Sequence, residues 1–318
     1  MKLYGGALTS GHTLRDAAAS VVYFLRAAVS VSVLAVLFYA MDAEETWETL
    51  RHISAWAVVA AILLFLAQTP LLAWRWRRIV KMLHGNLAMP NAVQLSLLGR
   101  LFNQVLPASF GGDAVRAWQS TQYGLDGVVA VHSVLIERFT GLVALVVMAL
   151  VAVPFIWPTV APGVDVWGLL VLSGLVVAGC VVLLSAWIGR HRLRNKPLLA
   201  RPLAFIDDAI RATRDPVEFV WLSATGVASN LLAIGAAIAI GTSLELAVGW
   251  WAYVAVVPLS IIATILPISI AGWGVREGAM VTLLALFGVP NTDALALSLL
   301  FGLTLLGAAV IGGLIWIP

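Results

Sequence analysis

A chain of 318 residues in which 61% are hydrophobic and only 11% charged is not an ordinary soluble domain, where roughly a quarter of residues carry charge. The formal net charge of +3 says little for a nucleic-acid partner, because the basic residues sit in the connections between apolar runs. Those runs are long and unbroken, unlike the short alternating strands of a membrane β-barrel, so the class is an all-α polytopic membrane protein.

In chain order, Lys2 and Arg15 are followed by no compact apolar core with a cleavage site, and no removable signal peptide is expected. Apolar runs predict six long spans, over residues 21–40, 55–74, 131–157, 167–188, 219–240 and 294–317. Two shorter, interrupted units fall between them, at 91–123 and 251–287. The connection after the second span holds Arg75, Arg77, Arg78 and Lys81, and the one after the fourth holds Arg190, Arg192, Arg194, Lys196 and Arg201. Residues 158–166, 241–250 and 288–293 hold no Lys or Arg. This alternation places both termini in the cytoplasm, in the inner membrane of a cell. Residues 198–214 put Leu203, Ile206 and Ile210 on one helical face, opposite Asp207, Asp208, Arg211 and Arg214, which reads as an amphipathic interfacial helix. Asn230, within the fifth span, reads as a polar link between helices, and Gly302, Gly307 and Gly312 as sites of close helix packing.

Each interrupted unit contains a related stretch: "LPASFGGDAVR" from Leu106 and "LPISIAGWGVR" from Leu266. They share Leu, Pro, Ser, Gly, Val and Arg, with Pro107 and Pro267 separated by 267 − 107 = 160 positions. Proline withholds a backbone donor and glycine permits positive φ, so each stretch reads as a helix break. Arms of about 15 residues fall short of the ~20 needed to span, so the units read as re-entrant hairpins. Eight full spans are the alternative. Re-entrant units would make residues 55–157 and 219–317 the halves of an inverted repeat within one transmembrane domain, with the breaks meeting near the midplane.

The chemistry follows from what the breaks free. Helix N-termini after Gly111–Gly112 and after Gly272–Gly274 would present N–H groups to an anion. Arg116 and Arg276 would add guanidinium groups suited to a phosphate, and Ser109 and Ser269 hydroxyls. Asp113 and Glu277 stand beside them, and Arg116–Glu277 and Asp113–Arg276 are the cross-repeat ion pairs expected in the empty site. Asn103 precedes the first break by one turn, and Glu137 and Arg138 open the third span, where their plainer reading is a structural ion pair. The five histidines are scattered and Cys180 is alone, so no metal site is expected. No P-loop occurs, and in "GWGVREG" Glu277 replaces the third glycine of a dinucleotide fingerprint, so no cofactor is expected.

The motifs "FNQVLPASFGGDAVR", "ERFTGL" and "LPISIAGWGVREGAM", in this order, resemble those of the lysylphosphatidylglycerol synthase transmembrane region, or flippase-like, family. The residues that match its pattern are Asn103, Pro107, Gly111, Gly112, Asp113, Arg116, Glu137, Arg138, Pro267, Ser269, Gly272, Gly274, Arg276 and Glu277. Ala271 stands where the family commonly has glycine, which weakens the expectation of a tight turn. Some members carry a cytosolic aminoacyl-transfer domain after this region. This sequence stops at Pro318, so the resemblance is taken to imply movement of a phospholipid or lipid-linked headgroup between leaflets, without synthase activity.

Three functional classes remain at the level of sequence. The leading one is a lipid translocase without ATP hydrolysis, which is not an enzyme. The second is an intramembrane enzyme acting on a lipid phosphate or sugar, with Asp113, Glu137 or Glu277 as acid or base. The third is a non-catalytic partner of a lipid-modifying enzyme.

Overall fold

A computed structural model describes residues 53–105, 111–160, 200–265 and 269–315, together with the single positions 32 and 51. The expected spans 21–40 and 167–188, and also Pro107, Ser109, Pro267 and Cys180, lie outside the described residues.

Ser54 starts α1 (Ala55–Met82), its hydroxyl accepting from the Trp56 N–H at 3.3 Å. The helix continues past the expected end at Trp74, because Arg, Lys and Trp interrupt hydropathy without interrupting backbone hydrogen bonding. Arg75, Arg77, Arg78 and Lys81 are therefore helical and not in a connection, a correction that matters for the site. α2 (Met89–Val105) and α3 (Gly111–Gln122) form the first hairpin, and α4 (Gly127–Val160) follows. After α5 (Ala200–Thr213), Asp215 caps α6 (Pro216–Ser243) by accepting from Val217 N–H at 2.9 Å, with proline at the first helical position. The second hairpin is α7 (Trp250–Ala263) and α8 (Val275–Ala285), and α9 (Asn291–Ile315) ends the described chain.

Four of these nine helices, over Ala55–Met82, Gly127–Phe155, Pro216–Ser243 and Asn291–Leu314, are long and apolar enough to cross a bilayer. Leu63, Val147, Val151, Val220, Leu303 and Leu314 project from them into the surroundings, a surface that lipid covers at no hydrophobic cost. This is an integral membrane protein.

Two helix-ending turns each occur twice along the chain. α1 ends in a turn with His84 at φ 63 and Gly85 N–H bonded to Val80 O at 2.9 Å; α6 ends in the same turn, with Glu245 at φ 56 and Leu246 N–H bonded to Gly241 O at 3.0 Å. α3 ends at Gly124 (φ 86) with Leu125 N–H on Ser120 O at 3.3 Å, and α8 at Gly288 (φ 76) with Val289 N–H on Leu284 O at 3.3 Å. The first turn repeats after 246 − 85 = 161 residues and the second after 289 − 125 = 164. Counting back along the unbroken helix from the second turn aligns Asp113 with Glu277 and Arg116 with Met280. The motif alignment, with Arg116 over Arg276, differs from this one by 164 − 160 = 4 residues, about a helical turn.

Helix neighbours obey the same relation. α1 packs on α6; α4 packs on α7 as α9 packs on α2; and α1 packs on α9 as α6 packs on α4. α1 and α6 run antiparallel, since Ser54 N–H donates to Ser243 Oγ at 2.8 Å at one end and Arg78 pairs with Glu218 at the other. In each hairpin the outer ends of the two helices meet. Gln94 Oε1 lies 3.1 Å from the Tyr123 hydroxyl in the first, and the Trp251 and Phe287 rings are 5.3 Å apart, edge to face, in the second. The main core, around Phe65, Ile240, Tyr253, Met280 and Phe301, joins α1, α6 and α9 to the second hairpin. Gly302 and Gly312 sit at close approaches, facing Arg276 and Leu97, whereas a Cβ at Gly307 would meet Ile62 only at ordinary contact distance.

α5 is the amphipathic helix the sequence implies, but it docks by an unexpected face. Phe205, Ala209 and Ala212 pack on Ile79, Leu83, Ile136 and Leu222. Asp208, expected on the solvated face, turns inward to lie 2.7 Å from His132 Nδ1.

Candidate functional site

Between the two hairpins lies a cavity of about 480 Å³, lined by Arg75, Arg100, Asn103, Asp113, Arg116, Glu137 and Arg138 from the first half and by Asn230, Ala271 and Arg276 from the second. Phe65, Leu142, Leu145, Ile261 and Phe301 supply apolar wall.

Glu137 is the hub. It is buried on α4, where it takes Arg75 from α1 on Oε1 and Arg116 from α3 on Oε2, the latter at 2.9 Å. Three elements separated in sequence are thus tied by one carboxylate. Arg75 reaches it through a slot left by Gly141 and Gly226, and the Arg116 guanidinium stacks over Trp76, 4.5 Å from the ring centroid. The neighbouring Arg138, its side chain 45% exposed, donates from Nη2 to Asp113 Oδ1 at 2.9 Å. Asp113 Oδ2 lies 2.6 Å from Arg138 Nε but lacks the alignment of a hydrogen bond, so that contact is electrostatic. The Glu137–Arg138 dipeptide therefore does not pair with itself. Each member binds α3 separately, which fixes the first hairpin against α4.

In the second half, Arg276 binds its own neighbour Glu277, with Nε donating to Oε1 at 3.0 Å, and stacks 4.7 Å from the Trp273 ring centroid. Glu277 is 0% exposed. Its other oxygen accepts from the Gly274 N–H at 2.5 Å, capping α8. Gly302 on α9 leaves the space that the Arg276 guanidinium fills, since a Cβ there would collide with Nη2.

These contacts correct several expectations. The cross-repeat pairs Arg116–Glu277 and Asp113–Arg276 do not form, because each cation already has a carboxylate from its own half. At each helix N-terminus one of the N–H groups expected to meet an anion is already taken. Gly112 N–H donates to Asn103 Oδ1 at 2.8 Å, and Gly274 N–H is taken by Glu277. Asn103 and Glu277 thus hold the breaks in shape. Ala271 adopts φ 51 and Gly272 φ 79, so the tight turn forms despite the missing glycine. An L-residue there is strained, and Ala271→Gly is expected to raise stability by about 1 kcal/mol, read as a higher unfolding midpoint in detergent.

The structure brings together Asn103, Asp113, Arg116, Glu137, Arg138 and Arg276 at the cavity. Ser269 is buried with its hydroxyl unpartnered and is not among the residues that line the cavity. Gly111, Gly112, Gly272 and Gly274 shape the breaks. Sequence reasoning missed Arg75, Arg100 and Gln68. Arg100 Nη1 donates to Phe65 O at 2.8 Å and Nη2 to Gln68 Oε1 at 2.6 Å. Gln68 in turn donates to Ser229 O at 2.6 Å. Asn230, read as a link between helices, instead lines the cavity with Nδ2 unpartnered. Among the described residues no three His, Cys, Asp or Glu side chains converge as a metal-binding group.

No curated protein matches the chain. A family described as the lysylphosphatidylglycerol synthase TM region matches it over residues 23–313, which takes in both broken hairpins and every charged residue of the cavity. The chain belongs to that family.

Proposed function

We propose that the protein moves a phospholipid or lipid-linked headgroup between leaflets through this cavity, without being an enzyme. The observation that carries the reading is one charged chamber shared by two broken hairpins inside a bundle of lipid-exposed helices. Intramembrane charge is costly and is retained where something polar passes. The arms of the hairpins are 17, 12, 14 and 11 residues, or about 16 to 26 Å, shorter than the ~30 Å hydrocarbon core. That length favours re-entrant units over eight full spans.

The antiparallel α1–α6 pair supports an inverted repeat, since a two-fold relation between antiparallel helices has its axis across them, in the membrane plane. Arg77, Arg78, Lys81 and Arg211 gather at one end of that pair and favour the cytoplasm there. In a Cys180→Ser background, a cysteine replacing Leu246 is expected to react with an impermeant thiol reagent from outside. One replacing Asn195 should react only after the membrane is opened. Reversed labelling would invert the topology.

Reconstitution of the purified chain alone into liposomes tests the function. Movement of fluorescent lipid from the inner to the outer leaflet is expected, faster than in protein-free vesicles. A rate equal to that of empty vesicles would reject the translocase and leave the role of partner to a lipid-modifying enzyme. Chemical conversion of the lipid would favour the intramembrane enzyme. Ser269, Arg276, Glu277, Asp113 and Arg116 are the groups proposed to meet or orient the headgroup, and the driving force is sought in the lipid gradient or a coupled ion.

A further inference from the structure

The cavity is not electrically balanced. Five guanidinium groups line it, from Arg75, Arg100, Arg116, Arg138 and Arg276. Among the described residues three carboxylates answer them: Glu137 and Asp113 in the wall, and Glu277 behind Arg276. The excess is two positive charges. One of the two is localised at Arg100, whose hydrogen bonds among the described residues go to a backbone carbonyl and a side-chain amide, both neutral, and the other arises where Arg75 and Arg116 share Glu137.

Unused hydrogen-bonding capacity has the same sign. Among the described residues Arg75 Nε and Nη1, Arg116 Nε and Asn230 Nδ2 are buried wall donors without hydrogen-bond partners, against Gln104 Oε1 and Asp113 Oδ2 among wall acceptors, while the unpartnered Ser96 hydroxyl can serve as either. Buried donors left unmade cost free energy that an acceptor-rich ligand recovers. A surplus of cationic charge inside a membrane-embedded cavity is likewise relieved by an anion of equal charge.

We infer that the cavity selects a lipid ending in a dianionic phosphate over one with a zwitterionic headgroup, and that Arg100 sets the preference. A phosphomonoester carries close to two negative charges near neutrality and presents three acceptor oxygens, matching both the surplus charge and the surplus donors. A phosphocholine headgroup adds no net charge and brings an ammonium into a wall already rich in cations. The apolar side of the cavity, with Leu142, Leu145 and Ile261, accommodates the start of an acyl or prenyl chain and argues for a lipid over free phosphate. The inference rests on the lipid-binding half of the proposed function and not on transport.

Binding is measured calorimetrically on the purified full chain in detergent, with dihexanoyl phosphatidic acid, dihexanoyl phosphatidylcholine and inorganic phosphate as separate titrants. Phosphatidic acid is expected to bind at least about tenfold more tightly than either of the others, a margin set by one well-placed charge contact. Arg100→Gln should bring phosphatidic acid close to phosphatidylcholine. Arg100→Lys, which keeps the charge, should retain the preference, and it serves where the glutamine variant does not fold. Equal binding of the two lipids by the native chain, or a preference unchanged in Arg100→Gln or lost in Arg100→Lys, would overturn the inference. Inorganic phosphate binding as tightly as phosphatidic acid would overturn the lipid as its source. Selective binding without movement in liposomes would reject the transport reading and leave this one standing, and movement without selectivity would do the reverse.

Discussion

Glu137→Ala is expected to destabilise the protein by about 3–5 kcal/mol, because it strips the shared carboxylate from two buried arginines at once. Arg75 is the more exposed to this loss in energetic terms, since two of its three guanidinium nitrogens already lack hydrogen-bond partners. Arg116 keeps Asp113 as a second, longer contact at 3.6 Å. Adding Arg75→Met to Glu137→Ala should therefore recover a large part of the lost stability, as removal of both members of a buried pair often does. Arg116→Met in the same background should recover less. The unfolding midpoint and monodispersity in detergent give the comparison. Glu137→Ala as stable as the native chain would mean that the carboxylate is no hub, and that the two cations are solvated through the cavity.

The second large effect is at Arg276, where structure and function are expected to separate. Arg276→Ala should abolish lipid movement and also lower stability, because Glu277, fully buried, loses its charged partner among the described residues. Arg276→Ala combined with Glu277→Gln removes both charges, and the amide side chain still offers an oxygen to the Gly274 N–H. The double variant should regain most of the stability, on the order of 2 kcal/mol or more, while lipid movement stays absent. Arg276→Lys should restore movement only in part, since an ammonium offers one point charge where Arg276 uses Nε, Nη2 and the ring face of Trp273 together. Recovered movement in the double variant would make Arg276 a structural counter-ion to Glu277 and nothing more.

Hydropathy was enough to locate the four described spanning helices, and the paired Leu-Pro stretches were enough to locate the two hairpins. Those signals are local, so one sequence carries them. The site was only partly legible. Glu137 and Arg138 stood out because an acid and a base inside an apolar run have no bland alternative of equal weight. Arg75 did not stand out, because it opens a run of basic residues that reads as a membrane-flanking connection, and only the continuation of α1 to Met82 turns it inward. Arg100 lies in a helix of modest hydropathy where an arginine raises no question. Its significance comes from what it lacks, an acidic partner, and that is a tertiary property. The register error between the motifs has a similar origin. Matching letters aligned Arg116 with Arg276, while the turns after α3 and α8 align Asp113 with Glu277. In both halves an acid at the third helical position holds an arginine, and the arginine comes from a different place each time.

The central claim is that a lipid headgroup enters the chamber shared by the two hairpins. Electron cryomicroscopy of the chain in nanodiscs containing its bound lipid tests this most directly. Headgroup density is expected between Arg100, Arg116 and Arg276, within hydrogen-bond distance of at least one guanidinium, with the chain of the lipid leaving past the apolar wall. Lipid density confined to the outer surface of the bundle, with the chamber sealed from both leaflets in every class, would contradict it.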